Sequence, residues 1–324
     1  MGMSRRCLLL GCLGLAIAAA PALAYPDKPI RMIVGASPGG SNDLVARLLA
    51  EALTGQLPQP VLVENRSGAA GMIGVEFVAR ASADGHTVLL TNTGHAALRS
   101  VIPNPAVDPH GSLAAVTIVA ESPMVMMVSN GFPADDLRGF VSQVRANPGR
   151  YDYGSTGGGG TLRLGALLFL KATGLQMNEV PYRGGGPAQL DLAAGRIALL
   201  FDVGISSFQT VRGGLARAFA VTTPRRSAAA AEVPTLKEAG IDAEMSVWQA
   251  VLVPAATPRP VREALQGAIA RALADEGLRN RFTELGADRV LGLGVAASEA
   301  YLAAEVERWE AILGDGTAPA SGSR

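Results

Sequence analysis

Cysteine is almost missing from this 324-residue chain. Only Cys7 and Cys12 occur, and both lie within the first 24 residues. That stretch, MGMSRRCLLLGCLGLAIAAAPALA, has a basic start, an apolar middle and a small-x-small end at Ala22-Leu23-Ala24. This is the pattern of a secretory leader, with cleavage expected after Ala24. Its apolar run is too short and badly flanked for a membrane span. Ser4-Arg5-Arg6 before Cys7-Leu8-Leu9 adds a hint of twin-arginine export. A lipoprotein reading through Cys12 leaves a very short apolar core and no use for the Ala-Leu-Ala site. The exported chain then has no cysteine, which excludes a disulfide, a thiolate metal site and a cysteine nucleophile.

Histidine is scarce as well. His86, His95 and His110 all fall in the first third, and none has the i, i+4 spacing of a helical zinc pair. They read as satisfied or solvent-facing residues of loops, not as a metal set. Charge of one sign is also lacking. Two of the 28 basic residues, Arg5 and Arg6, belong to the leader, so 26 remain against 28 acidic ones. That balance offers nothing to steer nucleic acid or an acidic membrane surface. Beyond the leader no run is apolar for 18 residues, so the mature chain is expected to be soluble.

Hydrophobic residues make up 48% of the chain and there are 39 glycines. A sizeable core and many tight turns are therefore available. Short apolar runs alternate with helical patterns. IRMIV (30–34), VLVEN (61–65) and TVLLTN (87–92) read as strands. Between them, 41–53 carries Leu44, Val45, Leu48, Leu49, Ala52 and Leu53 on one helical stripe, and a second helix is expected near 72–81. This β-α-β-α-β order predicts a parallel sheet flanked by helices. AVTIVAESPMVMMVS (115–129) is a long β-rich run broken by Pro123, where the chain is expected to pass from one domain to another. Helices near 135–146 and 161–173 follow, with strands at YDYGS, MNEVPY, IALLFD, RAFAVTT (217–223) and MSVWQAVLVP. Two or three helices run to about Leu313. The tail GDGTAPASGSR lacks core-forming residues and reads as disordered. There is no internal repeat.

Gly35-Ala36-Ser37-Pro38-Gly39 satisfies the G-x-S-x-G pattern of a serine-hydrolase nucleophile elbow. The residue after that serine has to supply a backbone N–H to the oxyanion hole. Here it is Pro38, which has none. The triad order also calls for a late histidine, and the chain has none after His110. A secreted hydrolase using Ser37 remains the alternative reading, opposed by both facts. The loop is no P-loop either, because no Gly-Lys-Ser/Thr follows its glycines.

What recurs is a glycine-rich loop ahead of a helix: GASPGGSND, GSTGGGGT (154–161) and YRGGGP (182–187). Helix N-termini leave N–H groups unpaired and carry partial positive charge. Glycines let an anion approach that backbone. Hydroxyls at Ser37, Ser41, Ser155, Thr156 and Thr161 add donors. No lysine or arginine stands in the first two loops, which suits a carboxylate better than a phosphate. Read blandly, the glycines are turns, Asp43 complements a helix dipole, Asp202 is a cap, Tyr182 and Trp248 are core or interface aromatics, and Arg183 is a solvated charge rather than a clamp.

The segment YPDKPIRMIVGASPGGSNDLVARLLAEAL resembles the mature start of the tripartite tricarboxylate transporter receptors, the Bug family of periplasmic binding proteins. Further marks stand in that family's order: VENRSGAAGMIG (63–74), ADGHTVLL (83–90), YGSTGGGGT, VPYRGGGPAQLDLAAG (180–195), LFD, ARAFAVTTPRR (216–226), VPTLKEAG (233–240), PAATPRPVREAL (254–265) and ERWEAIL (307–313). The resemblance spans essentially the whole mature chain. It implies a type II-like α/β binding protein of two lobes, each a mostly parallel sheet flanked by helices, with the ligand in the cleft. The expected lobes are 25–123 with 224–313, and 124–223, preceded by the leader 1–24 and followed by the tail 314–324. The loops Ser37–Asp43 and Ser155–Thr161 are then expected to face each other across a small carboxylate. The ligand-binding set is Ser37, Gly39, Gly40, Asp43, Ser155, Thr156, Gly158, Gly160, Thr161, Tyr182 and Asp202, with the two aspartates setting ligand polarity. The chain departs from the family at Gly35-Ala36, where Pro-Phe is usual, and at Arg163, where histidine is usual. Loss of the Phe is expected to widen the pocket. Arg163 is expected to be an exposed helix charge, or else to meet a second carboxylate. A periplasmic, monomeric, non-catalytic receptor is implied. It needs no cofactor or metal and serves membrane permease subunits or a sensor protein.

Overall fold

In the computed structural model, which describes residues 25–314, the first strand already shows the logic of the fold. The leader, and the tail beyond Gly314, lie outside the described residues. Strand β1 (Ile30–Val34) is almost continuously apolar because it is covered on both faces. After it come α1 (Ser41–Thr54), β2 (Val61–Asn65), α2 (Met72–Ala79), β3 (Thr87–Asn92) and α3 (Gly94–Val101). β1 pairs in parallel with β2 on one side and β3 on the other, as the alternation of runs predicts. Helix α3 is a finding: its eight residues are too few to show a period, so the sequence read them as loop.

The long strand β4 (Leu113–Val128) links the two halves of the sheet. It is followed by α4 (Leu137–Ala146), β5 (Asp152–Ser155), α5 (Thr161–Thr173), β6 (Asn178–Pro181), α6 (Gly185–Ala193), β7 (Leu199–Val203), α7 (Gly204–Arg212) and β8 (Arg217–Val221). The chain ends through β9 (Ser246–Pro254), α8 (Arg259–Ala274), α9 (Glu276–Leu285), the two-residue β10 (Arg289–Val290) and α10 (Val295–Gly314). From Leu113 to Pro123, β4 pairs antiparallel with β9. From Met124 to Val128 it pairs with β7 and β8 instead. Pro123 therefore does not break the strand. It falls where the ladder changes partners, a place where a residue without an N–H is tolerated. The main strand order is β2-β1-β3-β9-β4-β7-β5-β6.

Burial follows the same division. One apolar cluster joins Ile30, Val45, Leu49 and Val251 with Ile269 and Phe282 under the first half of the sheet. A second gathers Val125, Leu162, Leu192 and Leu200 under the other half. A third and larger one runs between them and holds Trp248 and Trp309, both fully buried. The Trp248 indole N–H donates to Glu305 Oε2 at 2.9 Å, so this aromatic belongs to the core. Among the described residues no helix is long and apolar enough to cross a membrane.

Candidate ligand-binding site

Parallel strands deliver their following loops to one edge, and crevices at the carboxyl ends of such strands are where α/β folds take ligands. Here the ends of β1 and β3 from one half meet the ends of β5, β6 and β7 from the other. Between them lies a cavity of about 130 Å³. Four helices begin at its wall. α1, α5 and α6 have Gly40, Gly160 and Gly184 at their N-cap positions, and α3 has Thr93; none of the four receives a side-chain cap. Ser41, Asn42, His95, Leu162 and Gly185 from the first turns line the space. Positive helix ends thus converge on a volume sized for a small molecule.

Glycine is required where the halves touch. A Cβ at Gly184 would stand 2.2 Å from Ser37 Oγ, although the backbone there is extended and open to any residue. A Cβ at Gly186 would stand 2.9 Å from the Pro38 carbonyl oxygen. Thr161 makes the polar bridge: its hydroxyl donates to Asn92 Oδ1 at 2.7 Å and accepts from Gly94 N–H at 2.9 Å. Replacing Thr161 with Val keeps the shape and removes both bonds. Calorimetry is expected to show an affinity loss of about tenfold, from roughly 1–1.5 kcal/mol. An unchanged affinity would mean that the bridge is not used in the bound state.

Of the residues expected from sequence, Gly40, Thr156, Gly160, Thr161, Tyr182 and Asp202 line the cavity. Ser37, Gly39, Asp43, Ser155 and Gly158 stand behind that wall. The Asp43 carboxylate is taken up by Arg47 at 3.0 Å, Asn65 Nδ2 at 2.9 Å and Gly39 N–H at 3.0 Å. It braces the first loop, so the expectation that it sets ligand polarity is corrected. Despite burial, those donors hold its acidity below the usual carboxylate range. Ser155 donates to Glu179 Oε1 at 2.6 Å and accepts from Gly157 N–H at 3.0 Å, an internal role. Gly158 has φ near +44°, so the loop needs glycine there for its turn. Ser37 Oγ is buried against Gly184 with no partner.

Arg163 is not the exposed charge expected. It is buried, and Nε donates to Glu179 at 3.0 and 3.1 Å while a terminal nitrogen donates to the Gly158 carbonyl at 3.1 Å. Its work is to hold the 156–160 loop. Nor does Gly35-Ala36 widen the pocket. The segment Gly68–Gly71 closes over it, with Gly71 3.1 Å from where a Gly35 Cβ would be. That segment holds Ala69 and Ala70 in left-handed conformations, φ 46° and 54°, a strained arrangement at the cavity wall.

Asp202 is fully buried. It accepts from Gln189 Nε2 at 2.5 Å, Val203 N–H at 2.7 Å and Ser206 Oγ at 3.2 Å. Desolvation nevertheless raises its pKa. The Tyr182 hydroxyl donates to Asp191 at 2.8 Å, and its ring edges the cavity. Arg183 is the one cation in the lining. His95, read from sequence as a loop residue, lies in the first turn of α3 and lines the cavity. It is buried with both ring nitrogens unpartnered, its ring edge-on to His110 with centroids 5.4 Å apart. His86 sits away from the cavity at the start of β3, beside Asp27 and Asp84.

Desolvation, with a smaller push from His110, brings the His95 pKa down to about 3. The unfolded residue titrates near its ordinary value of roughly 6.5. The unfolded state therefore binds more protons between those values. Stability should be full above pH 6.5 and fall as pH drops toward 3, by up to about 1.4 kcal/mol per pH unit. Urea unfolding between pH 7 and 4 is expected to show a shallower slope for His95→Gln. An identical slope would remove His95 from the acid response.

Two lobes, a shared crossing strand and a cleft lined by helix N-termini define a two-lobed solute-binding protein. The family profile described as "Tripartite tricarboxylate transporter family receptor" matches residues 45–316, and the chain belongs to that family. Protein BugT of Bordetella pertussis is 34% identical, over 97% of this chain and 98% of that one. Among solved structures, the periplasmic binding protein BugD aligns with a TM-score of 0.86 at 31% identity, covering 90% of this chain and 98% of its own. MatC of Rhodopseudomonas palustris with bound malate gives 0.84 at 28% identity, covering 89% and 100%. R. palustris Rpa4515 with adipate gives 0.86 at 29% identity, covering 90% and 98%. The chain is a receptor, and the hydrolase reading of Ser37 falls.

Proposed function

We propose that this receptor captures a small carboxylate in the periplasm and presents it, lobes closed, to the permease subunits of a tripartite tricarboxylate-type transporter or to a sensor protein. One observation carries the reading: four helix N-termini without side-chain caps converge on one small cavity beside Arg183. The malate and adipate of the two related structures support the same class of ligand. Gly40, Thr156, Gly160, Thr161, Tyr182 and Asp202 form the contact set, and Ser37, Gly39, Asp43, Ser155 and Gly158 shape the loops that offer it.

The lobes are taken as 25–123 with 224–313, and 124–223. Supporting that division, the two crossings run side by side: Thr222 N–H donates to the Met124 carbonyl at 3.0 Å, and Met124 N–H to Thr222 Oγ1 at 3.0 Å. Past the second crossing, Ala230 and Val233 still pack with Val125 and Val221, so the return to the first lobe is gradual. The protein acts as a monomer, exported through its leader.

A screen of small carboxylates by thermal shift tests the reading. A ligand at about 100 times its dissociation constant adds roughly 2.7 kcal/mol, a rise of about 2–4 °C per kcal/mol for domains of this size. No shift with any carboxylate, alongside a shift with an uncharged solute, would move the receptor to another ligand class.

A further inference from the structure

Two properties of the cavity narrow what it takes, given that the carboxylate-receptor reading is right. The first is size. The cavity measures about 130 Å³. An apolar protein cavity of about 150 Å³ holds one benzene, six heavy atoms. The space is shut on one side by Gly71 over Gly35 and on another by Gly184 against Ser37. A ten-heavy-atom straight diacid is too long for it without reopening those contacts.

The second is the sign of its free polar atoms. An ionised carboxylate only accepts hydrogen bonds. The helix N-termini and Arg183 answer that need. Yet Asn42 Oδ1, an acceptor on the cavity wall, is buried without a partner. Asp202, fully buried in the same wall, adds a second acceptor. Thr156 Oγ1 and the His95 ring are also buried and unpartnered, and each can accept as well as donate. His95 stays neutral at working pH because burial keeps its pKa low. A ligand made of carboxylates alone leaves Asn42 Oδ1 unpaired and sets like charge toward Asp202. Both are costly in a closed site.

We infer that the preferred ligand is a three- or four-carbon acid carrying a hydrogen-bond donor, a hydroxyl or an ammonium, next to its carboxylate, with Asn42 receiving that donor. Sites built to bond a ligand hydroxyl discriminate strongly against the analogue without it, because their own polar groups are left unpaired.

Calorimetry on the mature protein, freed of bound ligand by unfolding and refolding, tests this with matched acids. Propionate, lactate and alanine differ only at one carbon, as do succinate, malate and aspartate; adipate tests length. The expected result is that the hydroxy or amino member of a set binds about ten- to a hundredfold tighter than the plain acid. Adipate should bind more weakly than the best four-carbon acid. Whether lactate and malate or alanine and aspartate lead tells hydroxyl from ammonium. Asn42→Ala should bring the preferred acid down to its plain partner, and Asn42→Asp, which keeps an acceptor, should retain the preference. Plain acids binding as tightly as their substituted partners, adipate binding best, or a preference that survives Asn42→Ala would each overturn the inference while leaving a carboxylate receptor in place. No binding by any of the acids would instead take down the receptor reading and this inference together.

Discussion

Gly184→Val should cost at least a hundredfold in affinity for whichever acid binds, with little loss of stability. The backbone at Gly184 is extended, with φ 164° and ψ 177°, so a side chain is conformationally acceptable. The obstacle is on the other lobe: the new Cβ would lie 2.2 Å from Ser37 Oγ and 3.1 Å from Ser37 N. That clash exists only while the lobes touch. The variant can fold and relieve it by staying open. A ligand bridging both lobes then loses half of its contacts, and population moves only by the difference in affinity between the states. Removing the opposing side chain, in Ser37→Gly with Gly184→Ala, should recover part of the binding. Calorimetry measures the loss, and small-angle scattering shows whether the variant stays expanded when ligand is added. Full affinity in Gly184→Val would mean that binding does not need this contact.

Arg163→Leu should give the largest effect on stability, about 2–3 kcal/mol. Removing one partner of a buried ion pair typically costs roughly 3–5 kcal/mol, because the other charge is left without compensation. Glu179 is 29% exposed on its side chain, so water recovers part of that penalty. The Gly158 carbonyl loses its donor too. The melting temperature should fall by roughly 4–12 °C. Affinity should fall with it, since Glu179 also anchors Ser155 at the base of the same loop. Glu179→Gln, which keeps the hydrogen-bonding shape without the charge, should lie between wild type and Arg163→Leu. A melting curve for Arg163→Leu that overlays wild type would mean that the loop holds its form without the pair.

Much of the architecture was legible in the residues themselves. The apolar runs 30–34, 61–65 and 87–92 are strands at those positions, because a strand covered on both faces needs little more than a continuous apolar run between turn signals. The three glycine-rich loops also announced themselves, since helices that start without a side-chain cap at a glycine are unusual outside ligand sites. Partners distant in sequence were not legible. Arg163 looked like one more helix charge because Glu179, which buries it, comes from a neighbouring strand. Asp43 did carry a local signal that was passed over: Arg47 stands four residues on, the spacing at which opposite charges meet on a helix. His95 was hidden by the shortness of α3, and its burial depends on how α3 meets the loop before α5. The supposed widening at Gly35-Ala36 failed because a missing side chain can be replaced by approaching backbone, here that of Gly71.

Native mass spectrometry of the mature protein as purified, side by side with Gly184→Val, reaches the central claim most directly. A receptor that closes over a small carboxylate should carry one organic acid per chain, held without a covalent bond and released on unfolding. Gly184→Val should carry none. The account is contradicted if the bound species has no carboxyl group, or if wild type and Gly184→Val retain the same acid to the same extent.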